Sequence, residues 1–359
     1  MAIPGAMSEK VEIDHSSTSA SDVMMNHEET LQQAIHLYQN DKILSATRLL
    51  QSIPSANYES IHHHIVKEGL IFQKLLDQSN DHHTSRTSAK EDEWFKQGEQ
   101  HGRYNFCIYY KLSKENHLTC RIETPIHSDL LVPLLSVLNE MSRNQHINAC
   151  SWLGCMKMML NLLQLTELRQ IGRCGQILLV ETEVQWPLGS RQLLLKAVAC
   201  DDIDTHIDVR DGDKPKIEGQ THGGKVLVRI ESLCDQADKE ELEGLEVPPT
   251  KKGYVRMEVQ GGFVFEKCPL DHPMRESAGS QDDLVLVTFS FSVDPKLRIP
   301  QTLINFFVRT AIGHLWGMFL RVAEEVKDGK RPAHSKAIDK KREMLYNWVD
   351  ERAAVMLES

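Results

Sequence analysis

The six residues Trp186-Pro187-Leu188-Gly189-Ser190-Arg191 restrict this chain more than any other stretch, because they lie between two apolar runs of strand character. Residues 176–184 precede them and residues 192–200 follow, so the segment reads as a hairpin joined through a Pro/Gly turn. Successive side chains of a strand point to opposite faces. Glu181 and Glu183 therefore share one face, and Leu178, Val180, Thr182 and Val184 share the other. In the second strand Lys196 goes with Leu194 and Val198, which leaves Leu193, Leu195, Ala197 and Ala199 opposite. One face is wet and one is dry, and the dry face needs a cover.

The periodicity after Asp294-Pro295-Lys296 supplies a candidate cover. Ile304, Val308, Ala311, Leu315, Met318, Phe319, Val322 and Val326 recur at steps of three and four, while Asn305, Arg309, His314, Arg321 and Glu324 fall elsewhere on the wheel. This pattern predicts a long amphipathic helix over about residues 299–326. Ordinary core packing produces the same stripe, so the stripe alone does not establish a pocket.

Taken together, the W-P-L-x-x-R turn, the later Gly261-Gly262-Phe263, the strand 285–293 and the helix start at Ile299-Pro300 resemble the START lipid-transfer domain in order and spacing, over about residues 100–328. Trp152 followed by Leu153 departs from the family's Trp-Asp pair. The resemblance implies an α+β helix-grip fold, a curved antiparallel sheet around a long C-terminal helix, with a hydrophobic tunnel for one lipid. It also implies that the loop 201–224 borders the tunnel mouth. In the sterol-binding branch a buried carboxylate and a buried arginine flank this turn; matching on Arg191 puts those positions at Leu178 and Ala197, both apolar here. A sterol held by that polar pair is therefore not expected, and a phospholipid, fatty-acyl or isoprenoid ligand remains open.

The chain has 359 residues, of which 41% are hydrophobic, enough for a full core and more than one domain. Its net charge of −10 argues against non-specific nucleic-acid binding, so no nucleic acid is expected as a partner. Eight cysteines without a C-x-x-C pair, and no basic-then-apolar leader, lead us to expect reduced thiols and a cytoplasmic protein. No apolar run has the length of a bilayer span.

The expected order is a disordered segment over 1–25, a small helical region over 26–78, a polar linker over 79–92, the START-like domain over 93–328 and a helical extension over 329–359. Three helices are predicted before the linker, over 28–40, 41–53 and 58–78; they resemble one tetratricopeptide-like repeat, but an array needs about three, so they read as a small helical bundle docked on the next domain. Strand character begins near Asn105, and Ser128 is placed as the N-cap of a helix carrying Leu130, Leu131, Leu134, Leu135 and Leu138. Two further strands cover 225–231 and 254–260, with Val226, Val228 and Ile230, then Val255, Met257 and Val259, on the dry side. His62-His63-His64 and His82-His83 do not converge as a metal pair would, since adjacent helical residues point about 100° apart. The basic stretch 327–342 reads as a solvated face and linker rather than a membrane-contact patch.

None of the common nucleophile, zinc-protease, P-loop or dinucleotide fingerprints occurs, so no enzyme activity, cofactor or metal is expected. The expected function is to hold one lipid and to transfer it between membranes or sense it, meeting a membrane surface transiently. The expected ligand-binding side chains are Leu178, Val180, Leu195, Ala197, Val228, Met257, Phe289, Phe291, Val308, Leu315 and Phe319. The alternative is a scaffold with a collapsed core, whose N-terminal helices recruit a protein partner.

Overall fold

A computed structural model describes residues 20–80, 94–100, 104–113, 117–140, 163–182, 189–203, 224–235, 242, 244–275, 283–294 and 312–358. Three helices come first: α1 (Ala20–Gln39), α2 (Ile43–Gln51) and α3 (Ser60–Asn80). Strands β1 (Phe95–Gln100), β2 (Phe106–Leu112) and β3 (Leu118–His127) lead to helix α4 (Leu131–Asn139). Then follow β4 (Leu163–Ile171), β5 (Gly175–Thr182), β6 (Ser190–Asp201), β7 (Lys225–Ser232), β8 (Tyr254–Arg256), β9 (Glu258–Lys267) and β10 (Leu284–Asp294). Helices α5 (Gly313–Lys327) and α6 (Pro332–Lys341), a π-helical turn (Arg342–Tyr346) and α7 (Asn347–Glu358) complete the described chain.

Nine of these strands form one antiparallel sheet in the order β1-β2-β3-β10-β9-β7-β6-β5-β4, with β8 added beside β6 in parallel. The period-2 alternation sorts the side chains between the sheet's two faces. One face carries Phe106, Ile108, Cys120, Ile122, Val226, Phe263, Phe265, Val285 and Val287, which share a core with Leu134 and Val137 of α4 and with Trp316, Leu320, Val322 and Ala323 of α5. The sheet thus closes around helices, the helix-grip arrangement. Tyr346, Trp348, Val349, Ala353 and Met356 belong to the same core, so the C-terminal elements pack on this face too.

The opposite face is also covered. Ile43, Leu44, Phe72, Leu75 and Leu76 of α2 and α3 pack on Cys200, Leu227 and Val264. Between these apolar contacts lies a buried charge cluster. Glu68 of α3 pairs with Arg229 at 3.0 Å and with Lys196 at 3.5 Å, and Arg229 also reaches Glu231 at 2.7 Å. Arg121 of β3 donates to the Ser79 carbonyl oxygen at 2.9 Å, satisfying one of the carbonyls left open at the end of α3. The face expected to be wet is therefore wet only in composition: Lys196 is 5% exposed and Arg229 is 1% exposed.

Close approach explains Gly261-Gly262. A Cβ on Gly261 would lie 2.1 Å from the Ser290 carbonyl oxygen, and one on Gly262 would lie 2.1 Å from that of Val228 and 2.9 Å from Leu75. Only glycine lets β9 run this near both neighbours and α3.

Several expectations are corrected. Strand structure starts at Phe95, before Asn105, in a stretch (Phe95–Gln100) too polar to signal it. Ser128 caps no helix; it opens a 3-10 turn, its N–H donating to the Asp283 carbonyl oxygen at 3.0 Å. The strand expected over 254–260 is broken at Met257, where β8 ends on β6 and β9 begins between β7 and β10. The helix expected over 299–326 is described from Ile312 onward, as α5, and the turn at 183–188, the loop 204–223 and Val308 lie outside the described residues.

Candidate functional site

Between the sheet and the helices on its gripping face lies a cavity of about 330 Å³. Its floor comes from alternate residues of three adjacent strands: Gln176, Leu178 and Val180 of β5, Leu193, Leu195, Ala197 and Ala199 of β6, and Val226, Val228 and Ile230 of β7. Leu178 faces Leu195 and Gln176 faces Ala197 in register, so the floor is continuous across strands. One wall is aromatic. Phe263 and Phe289 stack with ring centroids 4.3 Å apart, and Phe289 lies 6.1 Å from Trp316 with planes only 14° apart. Trp316 is held by its indole N–H, which donates to the Thr124 hydroxyl at 2.6 Å. A buried Trp needs such a partner, and this one fixes the rotation of α5 against the sheet.

The roof is built by Leu135, Leu138 and Asn139 of α4, Phe319 of α5, and Leu345, Tyr346, Trp348 and Val349 of the C-terminal elements. Those last four are held from two sides. Lys341 pairs with Glu140 at 2.8 Å, and Arg352 pairs with Asp201 at 3.1 Å. Arg173, in the turn between β4 and β5, sits 5.7 Å over the Trp348 ring and pairs with Asp41 at 3.2 Å. Burial pushes the Cys174 thiol up, so this lining group stays neutral.

Of the side chains singled out from sequence, Leu178, Val180, Leu195, Ala197, Val228, Phe289 and Phe319 come together around this cavity. Three do not line it. Phe291 stacks on Phe289 at 5.0 Å and packs into the main core. Met257 stands at the break between β8 and β9, its N–H donating to the Gln192 carbonyl oxygen at 2.9 Å. Leu315 of α5 is half-buried and is not among the side chains around the cavity, where Trp316 and Phe319 of the same helix are.

The reading from sequence missed Trp316, Phe263 and all four C-terminal lining residues. It also missed the polar ones, Asn139, Gln170, Arg173 and Gln176. A signal existed for Gln176, which shares its alternation face with Leu178 and Val180. None existed for residues 345–349, whose helical pattern does not say which face of the sheet they meet. Among the described residues no three His, Cys, Asp or Glu side chains gather as a metal site; His62 instead accepts the Glu59 N–H at 3.0 Å and His64 pairs with the Tyr38 hydroxyl at 3.1 Å. No helix among the described residues is long and apolar enough to cross a membrane.

No protein-family model and no curated protein matches the chain. Solved structures show likeness at low identity. Human StAR-related lipid transfer protein 5 is similar at 12% identity and a TM-score of 0.41, over 72% of this chain and 94% of that chain. Human STARD10 is similar at 12% identity and a TM-score of 0.43, over 72% of this chain and 82% of that chain. A STAR-related lipid transfer protein from Xanthomonas axonopodis is similar at 17% identity and a TM-score of 0.38, over 64% of this chain and 99% of that chain.

Proposed function

We propose that this protein binds a single lipid in the cavity between its sheet and its helices, and carries or senses that lipid at membranes. The observation that supports this most is the cavity itself. Protein interiors are packed with few voids larger than a water molecule. A partly open cavity of about 330 Å³ lined by leucine, valine and aromatic side chains falls in the size range of ligand pockets. Unfilled, it would be a loss of packing; filled by an alkyl chain, it gains about 0.8 kcal/mol for each methylene taken from water. The binding side chains in this reading are Leu178, Val180, Leu195, Ala197, Val228, Phe289 and Phe319, with Trp316 and Phe263 added from the structure. The chemistry is binding without turnover.

The scaffold reading requires a collapsed core, and the cavity favours the lipid reading over it. Exit of a lipid needs a covering element to move. In this reading the C-terminal elements that supply Leu345 to Val349, tied by Lys341–Glu140 and Arg352–Asp201, are the cover that moves. Native mass spectrometry of the delipidated chain after exposure to a cell lipid extract tests the proposal. One bound lipid per chain is the expected result. No adduct, with no lipid-dependent rise in unfolding temperature, overturns it.

A further inference from the structure

One end of the cavity carries charge. The turn between β4 and β5 presents Arg173 there, and among the described lining residues Arg173 is the one charged side chain. Gly172, at a φ of +51°, permits the turn, and the Gln170 amide pins it, its Nε2 donating to the carbonyl oxygens of Gly172, Arg173 and Gly175 at 3.3, 3.3 and 2.9 Å. The guanidinium is thus carried on a braced backbone. It rests 5.7 Å over the ring of Trp348, another lining residue, in a cation–π contact that favours this placement.

This cation is only partly matched inside the protein. Asp41, between α1 and α2, approaches its Nε at 3.2 Å. A guanidinium has five N–H donors in a fork that fits two oxygens of one carboxylate or phosphate. Nη1 and Nη2 of Arg173 hold no hydrogen bond to any described residue, and the side chain is 33% exposed, so a ligand can reach it. Nothing ionised beside it on the lining cancels its charge. Burial pushes the Cys174 thiol up, which keeps that neighbour neutral. Asp201, close enough to act on Cys174, and Glu140, next to the lining residue Asn139, have cations of their own in Arg352 and Lys341.

The charge selects a head group. A cationic head would be repelled by Arg173, and a hydroxyl would gain one ordinary hydrogen bond. An oxyanion gains charge-assisted bonds from the open side of the fork, which are shorter and stronger. Because Arg173 is partly exposed, the anion keeps some of its water and escapes the cost of full burial. Away from this end the floor follows β5, and from Gln176 to Val180 it runs about 13 Å at roughly 3.3 Å per residue. There Val180 faces Leu165 on one side and Leu193 on the other. A lipid lying this way has its charge at the rim and its methylenes among leucines.

We propose that Arg173 is the head-group site for a lipid ending in an oxyanion, a carboxylate or a phosphate, whose alkyl chain lies along β5 toward Leu165. This rests on the lipid-binding reading above and names the class of lipid that the cavity takes.

Four probes with one ten-carbon tail and different heads test it on the full-length delipidated chain near neutral pH: decanoate, decyl phosphate, decanol and decylammonium, followed by titration and thermal shift. At least one of the two anions is expected to bind about tenfold tighter than decanol, with decylammonium weakest, and the tighter anion identifies the head group. Arg173→Gln should bring that anion down to the level of decanol, whereas Arg173→Lys, which keeps the charge, should retain part of the gap. Asp41→Asn removes the competing carboxylate and suits the φ of +63° at that position, so it should raise anion affinity several-fold and leave decanol as it was. Decanol or decylammonium binding as tightly as the better anion, or a full gap surviving in Arg173→Gln, overturns the head-group site while the cavity reading stands. Should none of the four bind, the cavity reading fails with it. If Arg173→Gln does not fold, the order of the four probes on the unmutated chain still decides.

Discussion

The two faces of this sheet are made from the same strands and have opposite solutions to burial. On the gripping face, Leu195 and Ala197 look into open space and the core stops short of filling it. On the other face, Lys196 between them is buried under α3 and paired with Glu68. One face is apolar and hollow; the other is packed and holds charge. The comparison teaches that burial alone does not mark a binding surface. A charged residue under a helix can be structural, and a leucine on a strand can border a cavity. What separates them is whether each atom has a neighbour.

The comparison breaks most sharply at Glu68. Glu68→Ala would leave Arg229 and Lys196 buried with their shared carboxylate gone, and loss of about 3–5 kcal/mol of stability is expected, read by denaturant unfolding. Ligand affinity of the folded fraction should not change, because Glu68 is on the packed face. A change in affinity comparable to the stability loss would show that the faces are coupled.

The hollow face should respond in the opposite way. Ala197→Phe fills the floor opposite Gln176, and lipid-dependent stabilisation is expected to vanish; in the unmutated chain that stabilisation should reach about 2.7 kcal/mol at one hundred times the dissociation constant. Stability without lipid should fall by no more than about 1–3 kcal/mol. A fall beyond that, with no lipid effect in either protein, would mean that the site is packed core.

Acid should act on the packed face first. Burial by itself raises the Glu68 pKa, but Arg229 and Lys196 outweigh it and hold the group below its ordinary value of 4.5. A carboxylate lowered in the folded state contributes stability that is fully present above its unfolded pKa and is lost as pH falls through the folded one. The unmutated chain should therefore lose stability below about pH 4.5 more steeply than Glu68→Gln, which has no proton to take up there. Parallel pH profiles of unfolding would remove Glu68 as the cause.

The smallest effect is expected at the edge of the packed face. Arg48 meets both oxygens of Asp202, at 2.5 and 2.9 Å, but its side chain is 40% exposed. Arg48→Ala should cost about 0.2–1 kcal/mol and less in high salt. A larger loss, measured in the same denaturant series, would make this pair part of the buried cluster rather than a surface contact.

Alternation by itself determined which strand residues share a face: Leu178 with Val180, Leu195 with Ala197, and Lys196 opposite them, because the pleat has a period of two wherever a strand forms. Steps of three and four likewise marked the apolar stripe of α5, whereas Gly261-Gly262 stood out only through the family resemblance. Only the tertiary structure decided what each face meets. Lys196 is buried because α3 returns over it with Glu68, and no local pattern in either segment announces a contact between residues so far apart in the chain. Trp316 lines the cavity with its indole N–H tied to the Thr124 hydroxyl of a distant strand, a contact that the spacing within α5 does not announce. Tyr346 and Trp348 close the cavity because the chain beyond α5 folds back onto the gripping face. Periodicity is a local property of the backbone, whereas a cavity is the space left after distant elements have packed, so the first can be read along the chain and the second cannot.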